Sequence, residues 1–199
     1  MNTPKLLLFD LGGVIVRWVG LDELAKTSGL SRGEVIERFT SSKILSDYEI
    51  GDCTDDAFIH EFRHEFELKG ADDELKYLWN SWVKDAYANV AQALKTLKFN
   101  FKTACLSNTN ALHWKRLEDL ISTHELFHKS YASHLIKFAK PDTQAFEYVL
   151  DDMNLAAQDV WFFDDTLVNI DAAKANGIHA FHVDRNEGVL PVLNKLKLL

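Results

Sequence analysis

Short apolar runs alternate with longer segments of helical periodicity along most of this chain. The runs Leu6–Phe9, Phe101–Leu106 and Val160–Phe163 each lead into small or acidic polar residues, as a buried strand leads into a turn. Two more short strands are expected at Lys129–Ser133 and Ile178–Val183. The predicted helices span Val90–Leu97, Ala111–Ile121, Thr143–Met153, Val168–Asn176 and Val189–Leu196. This alternation predicts an α/β fold: a doubly wound, Rossmann-like parallel sheet with helices on both faces.

The pattern changes between residues 21 and 86, where no buried strand is evident and aromatic residues are interleaved with acidic ones. Phe58, Phe62 and Phe66 recur every fourth residue, a spacing that places all three on one face of a helix. The sequence therefore predicts an α/β core formed by residues 1–16 and 87–199, with a small all-helical insertion formed by residues 17–86.

Composition and charge narrow the class of protein. The chain has 199 residues, of which 47% are hydrophobic and 26% charged, and this suits one globular domain with an insertion. A net charge of -8 argues against a nucleic-acid partner, which would require a basic face. The first apolar run is too short for a signal peptide or a membrane span. We therefore expect a cytoplasmic protein with two reduced cysteines and no membrane partner, and a monomer by default.

Reactive side chains follow three of the predicted strands. Asp10 follows the first, Ser107-Asn108 the second and Asp164-Asp165 the fourth, while Lys140 comes after the short third strand. Each residue alone has an ordinary structural explanation, such as a turn former, a helix cap or a solvated lysine. Ligands of doubly wound sheets bind beyond the carboxyl ends of the strands, however, so these side chains are expected at one shared site.

Phosphoryl transfer explains why these residue types occur together. Carboxylates gathered at one sheet edge repel each other unless a cation lies among them, and Mg²⁺ prefers oxygen ligands. Asp10 and Asp165 can supply two such oxygens, with Asp164 beside them. A carboxylate nucleophile that attacks phosphorus forms an aspartyl-phosphate. Lys140 and the metal would screen the negative charge, and the Ser107 hydroxyl could bind the phosphoryl oxygens.

The ordered set of motifs resembles the haloacid dehalogenase (HAD) superfamily. The matching stretches are Phe9–Ile15, Leu106–Asn110, Lys140-Pro141, Phe162–Asp165, Asn169-Ile170 and Gly177-Ile178. They extend from Lys5 to His182, nearly the whole chain, and their combination is far more specific than any single piece. Among members, the chain looks most similar to bacterial glucose-1-phosphate phosphatase-like enzymes. The helical insertion looks like the cap that members of the superfamily carry after the first strand.

The resemblance implies a magnesium-dependent phosphatase of a small phosphorylated metabolite, a sugar phosphate being one expected substrate. By this similarity Asp10 is the nucleophile, Lys140 bridges the nucleophile and the phosphate, and Ser107 and Asn108 bind the phosphate. The implied ligands of Mg²⁺ are Asp10, the backbone carbonyl of Gly12, Asp164 and Asp165.

One position departs from the family pattern. Most phosphatases of the superfamily have a second Asp two residues after the nucleophile, which protonates the leaving group and then activates water, whereas this chain has Gly12. General acid–base catalysis contributes roughly 100- to 10,000-fold to a rate, so another group has to supply it for fast turnover. The cap offers four candidates, which the sequence alone cannot place: Asp47, Glu49, His60 and His64. Lys137, near Lys140, is expected at the surface.

Two other functions stay open at this point. A 2-haloacid dehalogenase also uses an Asp nucleophile without the second Asp. Two features count against it: it needs no metal, whereas Asp164-Asp165 provides a magnesium site, and no arginine has an obvious halide-cradling context, Arg17 being the nearest in sequence. A binding or regulatory protein on a degenerate phosphatase scaffold is the other alternative, because Gly12 removes the usual proton shuttle.

Overall fold

Five parallel strands form the central sheet of the computed structural model, which describes residues 3–199. The strands of the chain are β1 (Leu6–Phe9), β2 (Val16–Trp18), β3 (Val83–Ala86), β4 (Lys102–Ser107), β5 (Lys129–Ala132), β6 (Val160–Asp164) and β7 (His179–His182). The sheet has the order β5-β4-β1-β6-β7, and all of its pairings are parallel. The predicted α/β fold is therefore confirmed.

Twelve α-helices occur among the described residues, and the first five of them lie between β2 and β3. These five are α1 (Gly20–Ser28), α2 (Arg32–Ser41), α3 (Lys43–Glu49), α4 (Asp55–Glu65) and α5 (Asp72–Asn80). The others are α6 (Val90–Asn100), α7 (Ala111–Ile121), α8 (Thr123–Leu126), α9 (Ser133–Ile136), α10 (Thr143–Met153), α11 (Leu167–Ala175) and α12 (Leu190–Lys195), with a short 3₁₀ helix at Ala157–Asp159. None of the helices in residues 3–199 has the length and apolarity needed to cross a membrane.

The central strand β1 is buried on both faces, which explains its uninterrupted apolar sequence. Leu7 and Phe9 point into one hydrophobic cluster, and Leu6 and Leu8 point into a second cluster on the opposite face. Helices pack over both clusters, so the sheet is closed to water except at its edges. Side chains placed just beyond the carboxyl end of β1 therefore stand at the centre of the fold.

Helices α1–α5 surround a third hydrophobic cluster of their own. The predicted stripe of Phe58, Phe62 and Phe66 lies at its centre, where these rings pack against Trp79 or each other. Thr54 caps the helix by accepting a hydrogen bond from the backbone N–H of Ala57. These five helices thus bury their apolar faces mainly against each other, and we call them the cap.

The prediction was wrong where the cap joins the core. Residues 83–86 were assigned to the helical insertion, but they form β3, which pairs antiparallel with β2. The predicted core–cap boundary at residues 16 and 17 falls inside β2, so a two-stranded ribbon joins the two units. Each strand is too short to show a period of two, and the ribbon is recognisable only once residues 65 positions apart are paired, as Val83 is with Trp18. The division into core and cap otherwise stays a prediction.

Candidate active site

The carboxyl ends of three adjacent strands bring together the first group of predicted site residues. Asp10 follows β1, Ser107 ends β4 and Asp164 ends β6, and β1 lies between the other two strands. The backbone N–H of Asp10 donates to the carbonyl of Phe163 at 2.8 Å, which continues the pairing of β1 with β6 by one residue. Asp10 is thus held by the sheet itself, and only 8% of it is exposed.

Lys140 forms ion pairs with two of these carboxylates. Its Nζ lies 2.8 Å from Asp10 Oδ1 and 2.6 Å from Asp164 Oδ2. Burial lowers the pKa of Lys140, but the Coulomb attraction of Asp10 and Asp164 outweighs it, so this pKa lies above its ordinary value. Lys140 therefore stays charged and brings one positive charge into the site.

Asp10 has one oxygen engaged and one free. Oδ1 accepts from Lys140, while no hydrogen bond reaches Oδ2 from any residue between 3 and 199. Burial raises the pKa of Asp10, Lys140 opposes this shift, and the charges of Asp164 and Asp165 reinforce it. The unpaired Oδ2 is the oxygen that could attack an electrophile or bind a cation.

Asn108 is placed differently from the role that the resemblance implies. Its side-chain N–H donates to the carbonyl of Lys140 at 2.7 Å, and its side-chain oxygen accepts from the backbone N–H of Lys140 at 2.8 Å. The amide group therefore holds the Lys140 backbone rather than pointing freely at a ligand. The Ser107 hydroxyl, by contrast, has no hydrogen-bond partner in the described part of the chain, although Ser107 is 3% exposed. Ser107 is thus the better placed of the two to bind an anion.

Asp164 is completely buried and has both oxygens engaged. Oδ1 accepts from the backbone N–H of Thr166 at 2.8 Å, Oδ2 accepts from Lys140, and the side-chain N–H groups of Asn169 reach both oxygens at 3.1–3.2 Å. Asn169 occurs in one of the matching motifs, but no role followed from its sequence position. It lies in the first turn of α11, and its amide reaches Asp164 at the end of β6.

Asp165 is bound by a residue that the sequence reasoning missed. Arg185 lies 3.0 Å (Nε) and 2.8 Å (Nη2) from Asp165 Oδ2. A Cβ at Gly13, which has φ +76°, would collide with the same carboxylate, so this turn requires glycine. Arg185 follows β7, so the strand-end rule applied to that strand would have found it.

The acidic residues fit a magnesium ion. Asp10, Asp164 and Asp165 each offer a carboxylate oxygen, and these three oxygens lie within 4.8 Å of one another. Lys140 and Arg185 supply fixed positive charge on two sides, yet Oδ2 of Asp10 stays unpaired. A hard divalent cation with oxygen ligands matches this donor set. Asp10 offers an unpaired oxygen, whereas the oxygens of Asp164 and Asp165 already accept hydrogen bonds.

The cap segment 49–52 contacts the core beside this site. The Ser133 hydroxyl donates to the carbonyl of Glu49 at 2.6 Å, and Lys137 Nζ donates to the carbonyl of Gly51 at 2.5 Å. Lys137 also pairs with Asp52 at 3.3 Å. Lys137 was expected at the surface, and it is half-exposed there, but it serves to hold the cap against the core.

The other predicted candidates lie away from the strand ends. Asp47 pairs with Lys43 on the outer face of α3, and the rings of His60 and His64 meet edge to face on exposed turns of α4. Arg17 lies over the ring of Tyr87, and its own nearest carboxylate belongs to exposed Asp85. None of these side chains faces Asp10.

Comparison with known proteins agrees with the family that the sequence motifs indicate. A family model described as haloacid dehalogenase-like hydrolase matches residues 4–177. The chain is 26% identical over 183 residues to the sesquiterpene phosphatase astK of Aspergillus oryzae, a match that covers 92% of this chain and 91% of that protein. It is 24% identical over 190 residues to a D-ribitol-5-phosphate phosphatase of Bacteroides thetaiotaomicron, covering 89% and 90%.

A solved structure extends this similarity to the backbone. A HAD family enzyme of Bacteroides thetaiotaomicron, crystallised in complex with magnesium and inorganic phosphate, superposes with a TM-score of 0.80 at 26% identity. The match covers 95% of this chain and 98% of that chain. Core and cap are therefore both included in the shared fold.

Proposed function

The chain belongs to the haloacid dehalogenase-like hydrolase family, and within it we propose that the protein is a magnesium-dependent phosphatase of small phosphorylated metabolites. It is thus a hydrolase, and the bond that it cleaves is the phosphomonoester P–O bond. We further propose that residues 17–86 serve as the cap over the site and set its choice of substrate.

One observation carries the proposal: Lys140 bridges Asp10 and Asp164 while Oδ2 of Asp10 stays unpaired. Asp164, the other carboxylate that Lys140 binds, has both of its oxygens engaged. A carboxylate that is fixed by the sheet, next to a permanent positive charge and with one oxygen free, is prepared to act as a nucleophile. Because Asp10 is already held in place, it needs little rearrangement before it attacks phosphorus, and this lowers the entropy cost of the reaction.

In the proposed reaction Oδ2 of Asp10 attacks phosphorus, the P–O bond to the leaving group breaks, and an aspartyl-phosphate forms. Lys140 stabilises the transferring phosphoryl oxygens by its charge, and the Ser107 hydroxyl donates a hydrogen bond to one of them. Asn108 keeps the Lys140 backbone in place. Water then attacks the same phosphorus, which releases inorganic phosphate and restores the Asp10 carboxylate.

Magnesium would be held by Asp10, Asp165 and the Gly12 carbonyl, with Asp164 next to them. When bound, it supplies Lewis-acid stabilisation of the phosphoryl oxygens and reduces the repulsion among the carboxylates. Arg185 contributes by keeping Asp165 in one orientation. This part of the proposal is supported by the magnesium complex of the similar Bacteroides enzyme.

The relatives suggest which substrates to test first. One similar protein is a sesquiterpene phosphatase and another a D-ribitol-5-phosphate phosphatase, so prenyl phosphates and sugar or polyol phosphates are the leading classes. Both are small phosphomonoesters with an alkyl leaving group. Such leaving groups are poor and need a proton during bond cleavage.

The proposal is tested by assaying purified protein on 4-nitrophenyl phosphate, a panel of sugar and prenyl phosphates, and 2-chloropropionate. We expect phosphate release that needs added Mg²⁺ and stops with a chelator. Turnover of 2-chloropropionate without metal would instead identify a dehalogenase. No turnover and no trapped aspartyl-phosphate would identify a binding protein on this scaffold, and the phosphatase proposal would then be wrong.

A further inference from the structure

Glu49 is the last residue of α3, at the point where the cap meets the core. Its side chain is half-buried, and within residues 3–199 its carboxylate takes part in no hydrogen bond or ion pair. Lys140, which also binds Asp10, is near enough for its charge to lower the pKa of Glu49 against the effect of burial. The backbone carbonyl of Glu49 accepts a hydrogen bond from Ser133, which follows β5 at the carboxyl edge of the sheet, so Glu49 lies beside the strand ends that carry the candidate nucleophile.

The backbone around Glu49 is fixed, although its carboxyl group is not. Ser133 holds the Glu49 carbonyl, and Ser133 is itself held because its Oγ accepts from the backbone N–H of Thr109 at 2.9 Å. A Cβ at Gly51 would lie 2.5 Å from the carbonyl oxygen of His134, and Gly51 has φ +72°, so this close approach requires glycine. These contacts bring the Glu49 side chain to the core and leave its carboxyl group available.

The other acids and bases of the cap that could substitute at position 12 are excluded by their positions. Asp47 and His64 line an outward-facing groove on the cap with Lys43 and Glu61, and His60 is exposed beside them. Of the four candidates, only Glu49 belongs to the cap segment that the core holds through Ser133 and Lys137.

We propose that the Glu49 carboxyl group is the general acid and general base of this enzyme, in place of the Asp that position 12 lacks. The inference rests on the proposed phosphatase function. It assigns to the cap a catalytic residue as well as substrate selection.

Glu49 donates a proton in the first chemical step and recovers one from water in the second. As Oδ2 of Asp10 attacks phosphorus and the leaving-group P–O bond breaks, protonated Glu49 gives its proton to the leaving oxygen, and an alcohol departs. The Glu49 carboxylate then takes a proton from the attacking water as the P–O bond to Asp10 breaks. Inorganic phosphate leaves, and both Glu49 and Asp10 return to their starting states.

The electrostatic surroundings of Glu49 allow it both to donate and to accept a proton. Burial raises the pKa of Glu49 to about 7, with Lys140 opposing the shift, so both protonation states are accessible near neutral pH.

The elements that pack against α3 are α4 and α9. Their ionisable groups toward α3 are Asp55, which accepts from the Tyr48 hydroxyl, Glu61, His64, Glu65, His134 and Lys137.

The test compares Glu49→Gln with Asp47→Asn, a matched loss of a carboxylate on the same helix. On an alkyl phosphate we expect Glu49→Gln to lower kcat about 100- to 10,000-fold. On 4-nitrophenyl phosphate the leaving group needs no proton, so Asp10 is still phosphorylated. We then expect a burst of about one nitrophenolate per enzyme, followed by slow turnover with phosphorylated Asp10 accumulating.

A purely structural role would give a different pattern. If Glu49 only docked the cap, Glu49→Gln would slow aryl and alkyl substrates equally, and no phosphoenzyme would accumulate. That result, or unchanged turnover in Glu49→Gln, would overturn the assignment while leaving the Asp10 mechanism intact. Complete inactivity of the wild-type protein on every phosphate ester would overturn both proposals together.

Discussion

The carboxylates at the sheet edge are paired with positive charges, whereas the carboxylate of the cap segment beside it is unpaired. At the sheet edge every buried charge has a partner: Asp164 is surrounded by donors, Lys140 bridges two acids, and Asp165 is paired with Arg185. In the cap segment Glu49 has its backbone fixed and its carboxyl group free. Lys140 can hold an anionic ligand with its permanent charge, and Glu49 can gain or lose a proton without breaking an ion pair.

This difference separates binding of the phosphoryl group from proton transfer. A buried charge network resists any change in its own protonation, because each neutralised member leaves its partners unpaired. A group that has to gain and lose a proton in every cycle is better placed outside such a network. Gly12 is then not a defect of the core, because the proton shuttle lies on the cap.

The largest effect is expected for Asp10→Asn at the sheet edge. The substitution removes the nucleophilic oxygen and keeps the side chain's shape, so kcat should fall by roughly four to six orders of magnitude. Circular dichroism and thermal unfolding should show an intact fold. Turnover within tenfold of wild type would contradict the nucleophile assignment.

Lys140→Met tests whether the charges at the sheet edge depend on each other. It leaves Asp10 and Asp164 buried without their shared cation, and unfolding free energy should fall by about 3–5 kcal/mol. Lys137→Met is the control, because that lysine is half-exposed and its ion pair is worth at most about 1 kcal/mol. Urea unfolding of both variants makes the comparison, and equal losses would argue against a special network at Lys140.

Gly12→Asp tests whether the proton shuttle can be returned to the core. A Cβ at Gly12 would meet only Trp18, at 3.6 Å, which is ordinary contact, so a side chain fits there. In the Glu49→Gln background we expect Gly12→Asp to recover about ten- to a hundredfold of kcat on an alkyl phosphate, since it restores a general acid. Steady-state kinetics of the double variant, with Gly12→Asn as its uncharged control, checks this. Equal recovery by Gly12→Asn would show that proton transfer is not what was restored.

The smallest effect is a change in the pH dependence of stability. The pKa of Glu49 is raised from 4.5 to about 7 in the folded protein, so between these values the folded state binds more protons than the unfolded chain. The contribution of Glu49 to unfolding free energy is therefore fully present below about pH 4.5 and is lost as pH rises through 7. Glutamine does not titrate, so Glu49→Gln should gain stability relative to wild type as pH rises. Denaturant unfolding without metal at several pH values measures this, and a difference independent of pH would contradict the shift.

Most of the core could be predicted from the sequence, because its signals are local. Continuous apolar runs mark strands that are buried on both faces, and the residues that follow such strands meet at one sheet edge. Asp10, Ser107 and Asp164 were placed in this way, and the structure brings them together. The α/β fold followed from the same alternation.

The remaining features depend on contacts between distant residues. The ribbon of β2 and β3 forms from short strands that pair across the whole cap. Asn108 could not be assigned to the Lys140 backbone, because the path of the loop before Lys140 decides which group its amide meets. Glu49 could not be distinguished from Asp47, two residues earlier, until the docking of the cap showed which of them lies against the core and which lines an outward groove.

Phosphorylation of Asp10 is tested most directly in an acid-quenched mixture of Glu49→Gln, Mg²⁺ and 4-nitrophenyl phosphate, digested and analysed by mass spectrometry. We expect one added phosphoryl group, located on Asp10, in most of the enzyme, and none in the double variant that also carries Asp10→Asn. A phosphoryl group on any other residue, or its absence despite continuing turnover, would contradict the Asp10 mechanism.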